Sequence, residues 1–149
     1  TETKHGFVCA NSGIDLSNVE RGYAALLPLD SDRSARRIRD IVRAKLGVTV
    51  GVIVSDTFGR PWRKGLTDVA IGVAGIAGVV DLRGTEDALG RVMQVTEVAV
   101  ADELACAAEL VMGKSTGVPV AIIRGADPMW FRDSSMDEIV RPPSEDLFR

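Results

Sequence analysis

The chain has 149 residues, the size of one ordinary domain, and its 46% hydrophobic and 26% charged content is the balance of a globular protein that buries a core. A formal charge of −3 with only 5% aromatic residues argues against an extended nucleic-acid surface, so any phosphate binding is local. No apolar stretch reaches the roughly 18 residues that a membrane helix needs, and no basic-then-apolar signal peptide opens the sequence, which makes a cytoplasmic protein the expectation.

Thr1 in place of an initiator methionine, followed at once by strand-like sequence, reads as a processed or truncated piece of something longer. Phe7 to Ala10 is a short buried strand by its apolar run, and Asn11, Ser12 and Gly13 form the turn after it. A polar loop ends at Asn18, and Tyr23 to Leu29 is apolar and extended, closed by Pro28 and Asp30. Ser31 to Leu46 has helical spacing at Ala35, Ile38, Ile41, Val42 and Leu46, with Asp30 or Asp32 as cap and Gly47 as stop. Its six basic residues, Arg33, Arg36, Arg37, Arg39, Arg43 and Lys45, make a solvated face.

Val48 to Val54 is rich in β-branched residues and has the length of a buried strand. The glycine-punctuated run from Gly72 to Val80 lacks the spacing of a dinucleotide fingerprint, so close backbone packing is its expected role. Thr96 to Met112 is the strongest helix, with Thr96 as cap, a stripe from Ala101 to Met112 and Gly113 as stop. Val118 to Ile123 reads as another strand, and Trp130 and Phe131 tuck down a polar C-terminal region. Strands and helices mix without a βαβ rhythm, which points to an α+β fold, a mixed sheet with packed helices. Cys9 and Cys106 suit packing positions better than a disulfide or thiolate metal site.

Two acidic residues, Asp15 and Asp56, lie in polar sequence just after strand-like runs, where folds place reactive groups on rigid supports. Two carboxylates and the Thr57 hydroxyl, with water and phosphate oxygens, would make an oxygen shell for magnesium or manganese. An aspartate in a turn is otherwise an ordinary cap. Arg60, Arg63 and Lys64 follow through a glycine-bearing loop, where cations can clamp polyphosphate or stabilise a transferring phosphoryl group. "GKST" at Gly113–Thr116 imitates the tail of a P-loop but ends a helix instead of opening one, and is rejected as such. Glu97, Asp102, Glu103 and Glu109 give the long helix an acidic side that is more often solvated than functional, although Glu97 beside the expected cap could reach a loop-bound metal. His5 is the only histidine, so no Ser-His-Asp relay or histidine-rich metal site is available.

"ANSGIDLSN", "LLPLDSDRSARRIR", "VGVIVSDTFGRPWRKGLTDVAIGVAGI", "VTEVAVADELACAAELVMGK" and "PVAIIRG" together resemble the coenzyme F420:L-glutamate ligase family, in order and over nearly the whole chain. The resemblance implies a GTP-dependent ligase that adds L-glutamate by an amide bond to F420-0. The carboxylate of the lactyl-phosphate end would be activated by the γ-phosphate of GTP, and the amine of glutamate would attack the acyl phosphate. It implies Mn2+ or Mg2+, with Asp15 and Asp56 as metal-binding and catalytic aspartates, Thr57 as the hydroxyl ligand of a second metal, and Asn18 contacting the nucleotide. Residues 1–149 would then be a partial ligase domain whose N-terminal segment, with further nucleotide contacts, is absent. "RPPSEDLFR" is similar to the end of that domain in relatives that carry a flavin-binding domain after it, and an intertwined α+β homodimer is expected.

Two other readings compete with this one. A metal-dependent phosphohydrolase could use Asp56 as nucleophile, though Phe58 stands where a second aspartate is usual. A non-catalytic fragment could keep metal or nucleotide affinity alone.

Overall fold

The computed structural model describes residues 2–9, 13–60 and 62–147. Its centre is a long antiparallel hairpin of β3 (Val52–Arg60) and β4 (Arg63–Ala74), with α1 (Ser31–Leu46) and α2 (Val100–Met112) packed on it. Two smaller antiparallel pairs flank it, β1 (Ile14–Asp15) with β2 (Ala25–Leu26) and β5 (Val80–Asp81) with β6 (Glu97–Val98). Helices packed on β structure are as expected. In place of one mixed sheet, however, the described residues form three separate two-stranded sheets.

Helix α1 falls on its expected bounds because both ends are built into the sequence. The Asp30 side chain accepts from the Arg33 backbone N–H at 2.7 Å, and Gly47 closes the last turn at φ 67°, a left-handed conformation that glycine reaches without Cβ strain. Strand β3 differs from expectation at both ends. It starts at Val52, opposite Ala74, because Gly75 turns at φ 71° and carries the partner strand away, leaving residues 48–51 outside the ladder. It continues past Val54 to Arg60, so Asp56 sits inside a strand opposite Val69 and not in a loop. Backbone pairing depends on the partner, and the long stretch from Leu66 to Ala74 supplies one for polar residues as well as apolar ones. Arg60, Arg63 and Lys64 accordingly lie on the ends of two strands beside a tight connection.

The ladder carries a bulge in which Val54 faces Gly72 while Ser55 faces Ala70, leaving Ile71 as the extra residue of β4. In a regular strand, N–H groups three residues apart point to opposite edges. The extra residue shifts that alternation, and the N–H groups of Ala70 and Val73 both find helix carboxylates. Asp102 of α2 accepts from Ala70 at 2.9 Å, and Asp32 of α1 accepts from Val73 at 2.8 Å. The second oxygen of Asp32 accepts from Met136 N at 3.0 Å and ties in the C-terminal region. Burial pushes the Asp102 carboxyl up, partly offset by the Ala70 N–H.

Two apolar clusters sit against the hairpin. One joins Ala70, Val73, Ala101 and Met136; the other joins Cys9, Phe58 and Ile71, and Phe7 packs against both. Among the described residues no disulfide forms, and Cys106 donates to the Asp68 carbonyl at 3.0 Å. The glycine run packs as expected: Gly72 lies so close to α1 that a Cβ would fall 2.4 Å from the Ser31 carbonyl carbon.

Three other expectations are corrected. Helix α2 begins at Val100 with no side-chain cap, because Glu97–Val98 pair with β5 and the Thr96 carbonyl accepts from Leu82 N. Val118 to Ile123 forms no strand: the outer edge of β4 is occupied by the two helices, and Val120 and Ile122 stand 72% and 78% exposed. In the N-terminal region Val8 makes only an isolated bridge to Glu2, and of the stretch from Tyr23 to Leu29 only Ala25–Leu26 pairs; Ala10, Asn11 and Ser12 lie outside the described residues. No helix among the described residues is long and apolar enough to cross a membrane.

A Gly72→Ala substitution forces a Cβ into backbone that has no side-chain freedom with which to yield. It is expected to destabilise the fold by about 1–3 kcal/mol or more, read as a lowered urea midpoint.

Candidate active site

Strand pairing places Asp15 at the end of β1, and the central hairpin carries Asp56 and Thr57 midway along β3. These three residues line one cleft of ≈ 250 Å³ with Ser17, Phe58 and Lys114. Asp15 and Asp56 also line a second, adjoining cleft walled by Leu26, Leu27, Pro28 and Ile71. The pair thus stands on the divide between two hollows.

Lys114 is the residue that organises the first cleft. It follows Gly113, which closes α2, and its ammonium donates to Thr57 Oγ1 at 2.7 Å while lying 3.5 Å from Asp15 Oδ2. Asn18, in the left-handed region at φ 55°, donates from Nδ2 to the Lys114 carbonyl at 3.1 Å and so holds the segment that carries the lysine. A positive φ is several-fold more accessible to asparagine than to most side chains.

The two aspartates are tuned in opposite directions. Asp15 is held below the ordinary carboxylate range, first by the Ser17 hydroxyl at 2.8 Å, then by the Ser17 N–H at 2.7 Å, with Lys114 adding attraction. Asp56 is pushed up, first by burial and then by the charges of Asp15 and Asp68, against the lowering effects of the Thr57 N–H and Lys114. The sign for stability follows from linkage. Asp15 stabilises the fold above its unfolded pKa and loses that contribution as pH falls through its folded value. The raised Asp56 favours the fold at low pH and loses that contribution as pH rises through its folded value.

The structure therefore brings Asp15, Asp56 and Thr57 to one cleft, with Asn18 one hydrogen bond away through Lys114. It does not bring Glu97 there: that carboxylate pairs with Arg83 at 3.2 Å on the β5–β6 sheet. Arg60, Arg63 and Lys64 lie beyond the cleft toward the hairpin tip. Lys114 and Ser17 were missed by sequence reasoning. The lysine sat in "GKST", a motif weighed only as a P-loop, where the informative feature was a lone cation leaving a helix end.

The sequence model of the family described as F420-0:Gamma-glutamyl ligase matches residues 1–125. The chain belongs to this family. It is 51% identical over 150 residues to "Coenzyme F420:L-glutamate ligase" of Methanococcus maripaludis strain C7, covering 100% of this chain and 60% of that protein. The protein of the same name from Methanocaldococcus jannaschii is also 51% identical, with 59% of its length covered. For that of Methanopyrus kandleri the identity is 48% over 153 residues, with 61% covered. The chain thus spans about three-fifths of the length of the curated relatives it matches. The F420-0:gamma-glutamyl ligase match takes in Asp15, Asn18, Asp56, Thr57 and Lys114 together.

Removing Ser17's hydroxyl by Ser17→Ala is expected to move the Asp15 carboxyl up toward its ordinary value. Lys114→Met is expected to move both Asp15 and Asp56 up, because one ammonium favours the ionised form of both. Carboxylate-detected NMR titration of the two variants checks both shifts.

Proposed function

We propose that the protein is a GTP-dependent coenzyme F420:L-glutamate ligase that acts in the cytoplasm and joins L-glutamate to F420-0 by an amide bond. The observation that carries this reading is the convergence of Asp15, Asp56, Thr57 and Lys114 on one cleft, in a chain of the ligase family.

A carboxylate does not acylate an amine at neutral pH without activation, because its leaving group is oxide. Phosphoryl transfer solves this. An oxygen of the F420-0 carboxylate bonds to the γ-phosphorus of GTP and GDP departs, then the glutamate amine attacks the acyl carbon and phosphate departs. The products are an amide, GDP and phosphate. Both steps put negative charge on phosphate oxygens, and a fixed cation in a partly enclosed cleft stabilises that charge best. Lys114 is positioned for this task, held by Asp15 and Thr57 from one side and by the Asn18 contact to its own backbone from the other.

The donor chemistry fits a hard divalent cation, Mn2+ or Mg2+. Asp15, Asp56 and Thr57 offer oxygen only, and the Lys114 ammonium already sits where these donors draw positive charge. Asp15 and Asp56 would supply two carboxylate ligands and leave positions for phosphate and water. When bound, such a cation neutralises phosphate charge and orients the reacting oxygens. Asn18 would contact the nucleotide from the same rim. A homodimer accords with the unpaired apolar segment from Val118 to Ile123.

Mass spectrometry of F420-0 incubated with GTP, Mn2+, L-glutamate and the full-length protein tests this reading. Wild type is expected to give glutamylated product, and Asp15→Asn and Asp56→Asn are each expected to lower the yield by at least about a hundred-fold. Phosphate release without glutamylation, surviving in the absence of glutamate, would instead establish a phosphohydrolase.

A further inference from the structure

We propose that the tip of the β3–β4 hairpin is a stacking platform for a fused aromatic ring borne by a phosphate-linked substrate, with Trp62 as the platform. The inference deepens the ligase reading and rests on it.

Trp62 begins the return of the hairpin and is 66% exposed, and it belongs to neither of the apolar clusters that hold the fold together. Its burial therefore contributes little to the core. Arg60 and Arg63 flank it, with Lys64 next, and among the described residues none of the three forms a salt bridge. The Arg60 Nε is shielded from solvent and has no hydrogen-bond partner among the described residues. An exposed indole with arginines close to it in the chain is a combination that binds a flat heterocycle and the anionic groups attached to it.

The position of the tip relative to the cleft strengthens the assignment. The same hairpin that carries Asp56 and Thr57 continues along the cleft wall through Phe58 and Gly59, with Leu66 opposite, to Arg60. At about 3.3 Å per residue, the rise from Asp56 to Arg60 is roughly 13 Å. A cleft of ≈ 250 Å³ holds a reacting acid and phosphate groups but not a fused ring system as well. A substrate that reacts at the aspartates and carries its ring beyond this cleft has the hairpin wall, which leads toward Trp62, as one path out.

Two substrates share this chemistry, the deazaflavin F420-0 and GTP, and direct binding separates them. The full-length protein and its Trp62→Leu and Trp62→Phe variants are titrated calorimetrically with F420-0 alone and with a non-hydrolysable GTP analogue and Mn2+. Trp62→Leu is expected to weaken one of the two by about ten-fold, Trp62→Phe to restore most of it, and the KM for L-glutamate, which has no ring, to stay unchanged. Weakening of F420-0 assigns the platform to the deazaflavin, and weakening of the analogue assigns it to guanine. If wild type glutamylates F420-0 and Trp62→Leu binds both ligands as tightly as wild type, the platform is overturned while the ligase reading stands. If wild type neither binds nor glutamylates, both fall. Unchanged thermal midpoints of the variants separate lost stacking from lost folding.

Discussion

The outer edge of β4 is the constraint on which the rest of the fold depends. A two-stranded hairpin has two unpaired edges, and in isolation it is marginal in water. Here the first turn of each helix supplies an aspartate to that edge, Asp32 to Val73 and Asp102 to Ala70, and the Ile71 bulge makes those N–H groups available together. One pair of side chains thereby satisfies buried backbone donors, fixes where both helices dock and holds β3 still. Unsatisfied, each buried N–H would cost about 1–3 kcal/mol. Asp32 extends the effect by also accepting from Met136, which closes the C-terminal region over the core. Asp102 is held as an acceptor in surroundings that disfavour its charge, which marks backbone capture, not ion pairing, as its role.

The rigidity of β3 gives the cleft its chemistry. Asp56 is half-buried on a paired strand, whereas Asp15 is tied down locally by Ser17, and Lys114 bridges the two sources of charge. Contrasting environments make two chemically identical carboxylates unequal, one firmly anionic and one disfavoured as an anion. A cation added to such a site relieves Asp56 more than Asp15, because burial and its acidic neighbours outweigh the Thr57 N–H and Lys114 that favour its charge.

Much of this was legible in the sequence, and the misses have physical causes. Helix α1 was fully readable because its cap, stripe and terminating glycine are local features. Asp15 and Asp56 were readable as a pair of candidates because both follow apolar runs, but their meeting at one cleft depends on β1 and β3 being brought together, which no local pattern encodes. The extension of β3 through Asp56 was hidden because strand length is set by the partner, and β4 pairs with β3 as far as Arg63. Lys114 was illegible for the same reason as the cleft itself: it lies 57 residues from the threonine it binds. Val118 to Ile123 shows the converse, strong strand propensity without an edge to join.

That unpaired segment connects the size of the surface to the site. A compact monomer of 15.9 kDa exposes roughly 7,400 Å², whereas this chain exposes 10785 Å², with Val118, Val120 and Ile122 among the exposed apolar side chains. Part of that excess is the apolar segment from Val118 to Ile123, which no strand among the described residues covers. The segment begins directly after Gly117, which turns at φ 71°, and the loop from Gly113 to Gly117 carries Lys114. Both ends of that loop are hinged on positive-φ glycines, so in the chain alone the lysine is positioned mainly by its contacts to Asn18, Asp15 and Thr57. Anything that ordered residues 118–123 would fix the far end of the loop as well, and a lysine restrained at both ends would lose less side-chain entropy on engaging an anion.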